Sequence, residues 1–271
     1  MASSEVRIGF GRLGLTVHAD DPEIPSYVAR IFREFASTKP RDISACFDVA
    51  AIDGAYEISL DGRLLGRVVS ATGTQRRLVQ EIVRHVIESH RELLWLHAGA
   101  VAHNGRAMML VGRFGAGKST FTTALAARNW RYLSDDVAPV DVETARVLPF
   151  PTMPMVRVPT GADLPEARLP ELRKRPVDLP AWTICRDPVP LSTLVFPKYS
   201  HGAPCSLVKL SPSEAALQVL HNCTSYEHDR RNAVAAASRL AAAVPAYALL
   251  YGEAQPAADV LESLMRTPAR P

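Results

Sequence analysis

The 271 residues suffice for one large domain or two small ones, and 47% hydrophobic residues can fill a real core. A net charge of +3, from 31 basic and 28 acidic side chains with no basic run interleaved with aromatics, argues against a nucleic-acid partner. No apolar run approaches the roughly 18 residues of a membrane span, the N-terminus lacks a secretion-signal core, and Cys46, Cys185, Cys205 and Cys223 are scattered without a C-x-x-C pair. Reduced thiols in a cytoplasmic protein, with neither membrane nor zinc frame, are the expectation.

The N-terminal third, residues 1–92, reads as an accessory α+β region. Tyr27, Val28, Ile31, Phe32 and Phe35 form a helical stripe. Tyr56–Leu60 and Leu64–Val69 flank Asp61-Gly62, a hairpin signal. Leu78, Val79, Ile82, Val83, Val86 and Ile87 mark an amphipathic helix. Packing is the plain function of these stripes; docking of a peptide or partner subunit is the sharper alternative.

Residues 93–271 carry the chemistry. Leu93–Ala102 and Ala107–Val111 read as strands joined by a tight turn at Asn104-Gly105, which places His97 inside the sheet. Gly112-Arg113-Phe114-Gly115-Ala116-Gly117-Lys118-Ser119 then satisfies the G-x-x-x-x-G-K-[ST] phosphate-loop pattern, between an apolar strand and a helical run beginning at Ser119-Thr120. Such a loop surrounds a polyphosphate with backbone N–H groups at a helix N-terminus. Gly112, Gly115, Ala116, Gly117, Lys118, Ser119 and Thr120 are the predicted nucleotide-binding residues, with Lys118 on the terminal phosphates and the Ser119 hydroxyl on Mg²⁺. Trp130–Ser134 reads as a strand ending at Asp135-Asp136, two carboxylates that repel unless a cation or donors compensate them. One would bind Mg²⁺ and the other accept a proton from an attacking hydroxyl. Neighbouring strand residues point to opposite faces, so both reach the phosphate only if the strand has already ended.

Ten prolines between 148 and 190 predict an extended loop with little regular structure. Arg168, Arg173, Lys174 and Arg175 make it basic, suited to an acidic or carboxylate-bearing acceptor segment; Arg157 and Lys198 are candidates for neutralising transition-state charge. Ser211-Pro212-Ser213-Glu214 starts a helix with a capping box, Asn232–Val244 reads as a second, Pro245–Gly252 as a strand and Pro256–Met265 as a last helix.

Leu96-His97-Ala98-Gly99-Ala100-Val101-Ala102 with Gly105, the phosphate loop and Leu133-Ser134-Asp135-Asp136 resemble the catalytic domain of bacterial HPr kinase/phosphorylase. They look still more like its smaller relatives, the HPr-kinase-like serine kinases of peptide-modification pathways such as lasso peptide tailoring. The resemblance covers residues 93–150 well and the C-terminal part more loosely. It implies an α/β fold: a P-loop core of the kind shared with ATP-dependent phosphoenolpyruvate carboxykinase, in a mixed, strongly twisted sheet. It makes Asp135 the better candidate for the base and Asp136 for the metal ligand, and it gives His97 a place near the nucleotide. The chain departs from the bifunctional enzymes in lacking their Glu-Arg loop, in having Thr120 where they carry glutamate, and in showing no counterpart of their N-terminal domain. The expectation is therefore an ATP- and Mg²⁺-dependent kinase, acting foremost on a serine hydroxyl of a peptide or protein. A small-molecule kinase and a non-catalytic ATP-binding regulator are the alternatives; a homo-oligomer is compatible with all three.

Overall fold

A computed structural model describes residues 4–36, 44–157, 174–226 and 230–266. Packing divides the chain into two compact units, Met1–Arg91 and Glu92–Pro271. In the first, strands β1 (Ser4–Phe10), β2 (Leu13–Ala19), β3 (Ala45–Ile52), β4 (Ala55–Leu60) and β5 (Arg63–Val68) lie in that order in one sheet. Only the β2–β3 pairing is parallel. Helices α1 (Glu23–Ile31) and α2 (Arg33–Ala36) follow β2, and α3 (Ala71–Ser89) follows β5. The apolar stripes of α1 and α3 supply Val28, Leu78 and Ile82 to a core with Val17, Phe47 and Ile58, all fully buried. Asp61 and Gly62 both take positive φ (48° and 77°), the two-residue turn whose twist suits a hairpin.

The second unit holds β6 (Leu94–Leu96), β7 (Ala98–His103), β8 (Arg106–Val111), α4 (Lys118–Ala126), β9 (Arg131–Ser134), β10 (Ala138–Asp141) and β11 (Arg146–Val147). It continues with β12 (Met155–Arg157), β13 (Lys174–Pro176), β14 (Val189–Tyr199), β15 (Ser206–Lys209), α5 (Pro212–His221), α6 (Arg230–Ala243), β16 (Ala246–Tyr251) and α7 (Ala254–Arg266). Among the described residues the main sheet runs β6-β10-β11-β14-β8-β7-β9, with β15-β16 joined to β14. It is mixed: β14 runs parallel to β8 and β16, whereas β7 is antiparallel to both its neighbours. Because β6 and β7 are consecutive in the chain yet stand far apart in that order, the sheet curls back on itself.

β8 explains the layering. Its residues 107–111 are all apolar and wholly buried, as a strand covered on both faces requires. Alternation sends Met108 and Leu110 toward Phe121 and Leu125 of α4 and Leu261 of α7, and Met109 and Val111 toward Val219 of α5 and Ala237 and Leu240 of α6. This strand, which leads into the 112–119 loop, is thereby fixed between two helical layers. α5 begins with the full capping box, Ser211 and Glu214 each bonding the other's backbone N–H.

Two expectations need correction. Leu93–Ala102 is not one strand: the chain breaks at His97, which lies between β6 and β7 rather than in the sheet. The cause is that its backbone groups serve partners off the ladder. His97 N–H donates to the Asn222 carbonyl (2.7 Å), and its own carbonyl accepts from Gly112 N–H (3.2 Å). The proline-rich stretch also holds more regular structure than its composition suggests. β12 pairs antiparallel with β13, Met155 opposite Pro176 and Val156 opposite Arg175. A 3₁₀ turn follows at Ala181–Thr183. Arg168 and Arg173, like the Arg157 side chain, lie outside the described residues.

No helix among the described residues is long and apolar enough to cross a membrane. The four cysteines are unpaired.

Candidate active site

The loop between β8 and α4 takes its shape from two glycines in the left-handed region, Gly115 (φ 91°) and Gly117 (φ 95°), the second capping α4. Lys118, buried at the first helical position, folds back over the loop: its Nζ donates to the carbonyls of Gly112 (2.7 Å) and Arg113 (3.0 Å). Tyr251, at the end of β16, holds the same loop from outside by donating its hydroxyl to the Ala116 carbonyl (3.0 Å). Burial, and Tyr199 beside it, push the Tyr251 hydroxyl up to about 12, so it stays protonated and remains a donor.

Beneath the first turn of α4 runs β7, where Gly99 permits close approach. A β-carbon there would lie 2.5 Å from Thr122 Cγ2 and 3.7 Å from both Lys118 Cβ and Asp135 Oδ1. We predict that Gly99→Ala destabilises the protein by about 1–3 kcal/mol through overpacking. A lowered urea midpoint checks this, and an unchanged midpoint would show the helix can shift freely.

β9 ends at Ser134, whose hydroxyl lies between the carbonyls of Val137 and Phe150. Asp136 then adopts φ 72° and Val137 N–H closes onto the Asp135 carbonyl (2.9 Å). The strand has thus ended before the carboxylates, and the reversal gives them different surroundings. Asp135 is 4% exposed, and its Oδ1 is buried with no hydrogen-bond partner. Burial, and then the neighbouring charge of Asp136, raise its pKa to about 6, against the pull of the Ser119 hydroxyl and the Lys118 ammonium. The Asp136 side chain is 70% exposed. His97 Nε2 donates to its Oδ1 (3.0 Å), and this bond holds its carboxyl below the usual carboxylate range, helped by the charges of Lys174 and Lys118. One carboxyl gives up its proton only at about pH 6, whereas the other is held ionised.

A small cavity of about 50 Å³ lies among these groups. Its walls include His97, Gly117, Lys118, Ser119, Asp136 and, from the β12–β13 pair, Lys174. Lys174 also stands 5.2 Å from the Phe114 ring centroid. Asp135 does not wall this cavity; it lies against Gly99 beneath the first turn of α4. Among the described residues no three His, Cys, Asp or Glu side chains gather around one point. The oxygens of Ser119, Asp135 and Asp136 suit a hard cation that keeps phosphate and water ligands, and the orphaned Asp135 Oδ1 is an unspent acceptor beside them.

The structure therefore brings together Lys118, Ser119, Asp135, Asp136 and His97, which the sequence singled out. Lys174 joins them, although sequence reasoning placed it only in a basic acceptor loop. Lys198 is elsewhere, in the wall of a second, larger cavity across the loop. Tyr251 was missed, since it lies in no recognisable motif, and Gly99 was read only as part of the 96–102 run that carries the resemblance.

No family model matches the sequence, and no curated protein matches it. Among solved structures, the chain is similar to the HPr(Ser) kinase/phosphatase from Coxiella burnetii, with 12% identity and a TM-score of 0.34. The match covers 64% of this chain and 93% of that one. A likeness of this degree assigns no residue a role.

Proposed function

We propose that the protein is a phosphotransferase that moves the γ-phosphoryl group of ATP to a hydroxyl, foremost the serine of a peptide or protein. The observation that carries this reading is a glycine-shaped loop, a buried lysine and the ionised Asp136 gathered on one small cavity, with the differently tuned Asp135 buried behind them beneath α4. A cavity of that size accepts a phosphate group, and the N-terminus of α4 with the loop N–H groups favours its charge. Ser119 and Asp136 would hold Mg²⁺, which would supply charge neutralisation to the phosphate oxygens. The acceptor oxygen forms its bond to the γ-phosphorus as the bond to the bridging oxygen breaks. The hydroxyl proton passes to Asp135, and Lys118 stabilises the charge that moves onto the leaving phosphate. His97 keeps Asp136 ionised and oriented.

The cavity walls support exchange of the two aspartates: Asp136 faces the cavity beside His97, and Asp135 lies close to Ser119 as a metal-holding carboxylate does. Asp135→Asn and Asp136→Asn decide between the orders. The base variant loses kcat at saturating Mg²⁺, whereas the ligand variant recovers part of its rate as Mg²⁺ is raised.

The test of the function itself is transfer of label from γ-³²P-ATP into a cell extract by wild type and Lys118→Ala. A labelled peptide or protein formed only by wild type supports the reading; label confined to small molecules redirects it to a metabolite. Wild type that binds ATP without transfer would overturn it in favour of a regulator. Lys118→Ala is expected to reduce turnover at least about a hundredfold, the scale of a lost transition-state charge contact.

A further inference from the structure

We propose that the large cavity on the far side of the phosphate loop, about 940 Å³ in volume, seats the nucleoside part of the nucleotide. This rests on the reading of the loop as a triphosphate site. The phosphate cavity, at about 50 Å³, has no room for a base and ribose, so a nucleotide seated there must continue elsewhere. Phe114 and Gly115 wall both cavities, which makes the loop itself the bridge between them.

The chemistry of the walls matches a heterocycle. Phe196 of β14, Leu217 of α5 and Ala248 of β16 offer apolar surface, and Gln218 of α5 adds an amide to the same walls; Asn222, the C-cap of α5, lines them too while its side-chain N–H donates to the Gln218 carbonyl (2.8 Å). A mainly apolar slot with a few placed donors and acceptors is how planar, polar-edged ligands are held. The acceptor has a different approach. Its hydroxyl must reach the aspartates, and neither aspartate nor His97 walls the large cavity; Asp136 and His97 open instead onto the space beside Met155, Val156 and Lys174. Donor and acceptor thus enter from opposite sides of the loop.

Leu217 is 53% exposed, so Leu217→Ser removes apolar wall without opening the buried core. Calorimetric titration of the full chain with Mg²⁺-ATP and with inorganic tripolyphosphate, for wild type, Leu217→Ser and Lys118→Ala, tests the assignment. Leu217→Ser should weaken ATP about tenfold and leave tripolyphosphate unchanged. Lys118→Ala should weaken both. Equal wild-type affinity for ATP and tripolyphosphate would overturn the nucleoside seat while leaving the phosphate site intact. So would a Leu217→Ser enzyme with unchanged ATP affinity and a raised acceptor KM, which would give the cavity to the acceptor. Wild type that binds neither ligand removes the phosphate site and this proposal together.

Discussion

Asp135→Asn is expected to lower kcat by about a thousandfold while ATP still binds, because a positioned base contributes on that scale and asparagine cannot take the proton. The wild-type rate should climb with pH through about 6, where the Asp135 carboxyl loses its proton, and then level off. The variant should lack that limb. A second readout is stability. Asp135 holds its proton more tightly in the folded chain than in the unfolded one, about 6 against an ordinary 3.8. The stability this confers is complete below the ordinary value and is lost as pH rises through about 6. Asparagine does not titrate, so the variant should gain on wild type between these limits, by up to about 3 kcal/mol. Parallel thermal melts from pH 4 to pH 7.5 read this directly. Near-normal turnover in Asp135→Asn would refute the base; a constant melting difference across that range would refute the burial that tunes it.

Gly117→Ala is expected to abolish nucleotide binding and to destabilise the fold. A β-carbon at this position would collide with the Tyr251 hydroxyl and come within 3.0 Å of Tyr251 Cζ. The residue also sits at φ 95°, where an L side chain costs about 1–2 kcal/mol. The two causes separate in the double variant with Tyr251→Phe. Removing the hydroxyl relieves the collision and should recover part of the melting temperature, but the left-handed strain persists and ATP affinity should stay low. Wild-type ATP affinity in Gly117→Ala would mean that the loop does not hold phosphate in this shape.

The loop was legible because everything that shapes it is contiguous: the apolar strand, the glycines at their spacing, and the lysine and serine that open the helix. The Asp135-Asp136 pair was legible as a pair, but its asymmetry was not. That depends on the turn at Asp136, on the depth of Asp135 beneath α4 and on His97, a contact across 39 positions. Lys174 illustrates the limit from the other side. Its charge was plain in the sequence, yet only the β12–β13 register sets it in the wall of the small cavity beside His97 and Asp136. Tyr251 carried no signal, because an aromatic residue at the end of a buried strand reads as core until the topology puts β16 beside the loop. The break at His97 was likewise hidden, since Leu93–Ala102 is apolar enough to pass for one strand.

The lysine folded onto its own loop has a consequence for how fast the site works. The Lys118 ammonium is shared between two backbone carbonyls and stands near the charges of Asp135 and Asp136, so it is not left unpaired in its buried place. An arriving phosphate must exchange with those carbonyls rather than meet a waiting cation, so the gain is the difference between two sets of bonds. A departing product is replaced by the same carbonyls, one bond re-forming as another breaks. If the loop takes ATP as proposed, such a site gives up tightness of grip and gains quick release of the spent nucleotide.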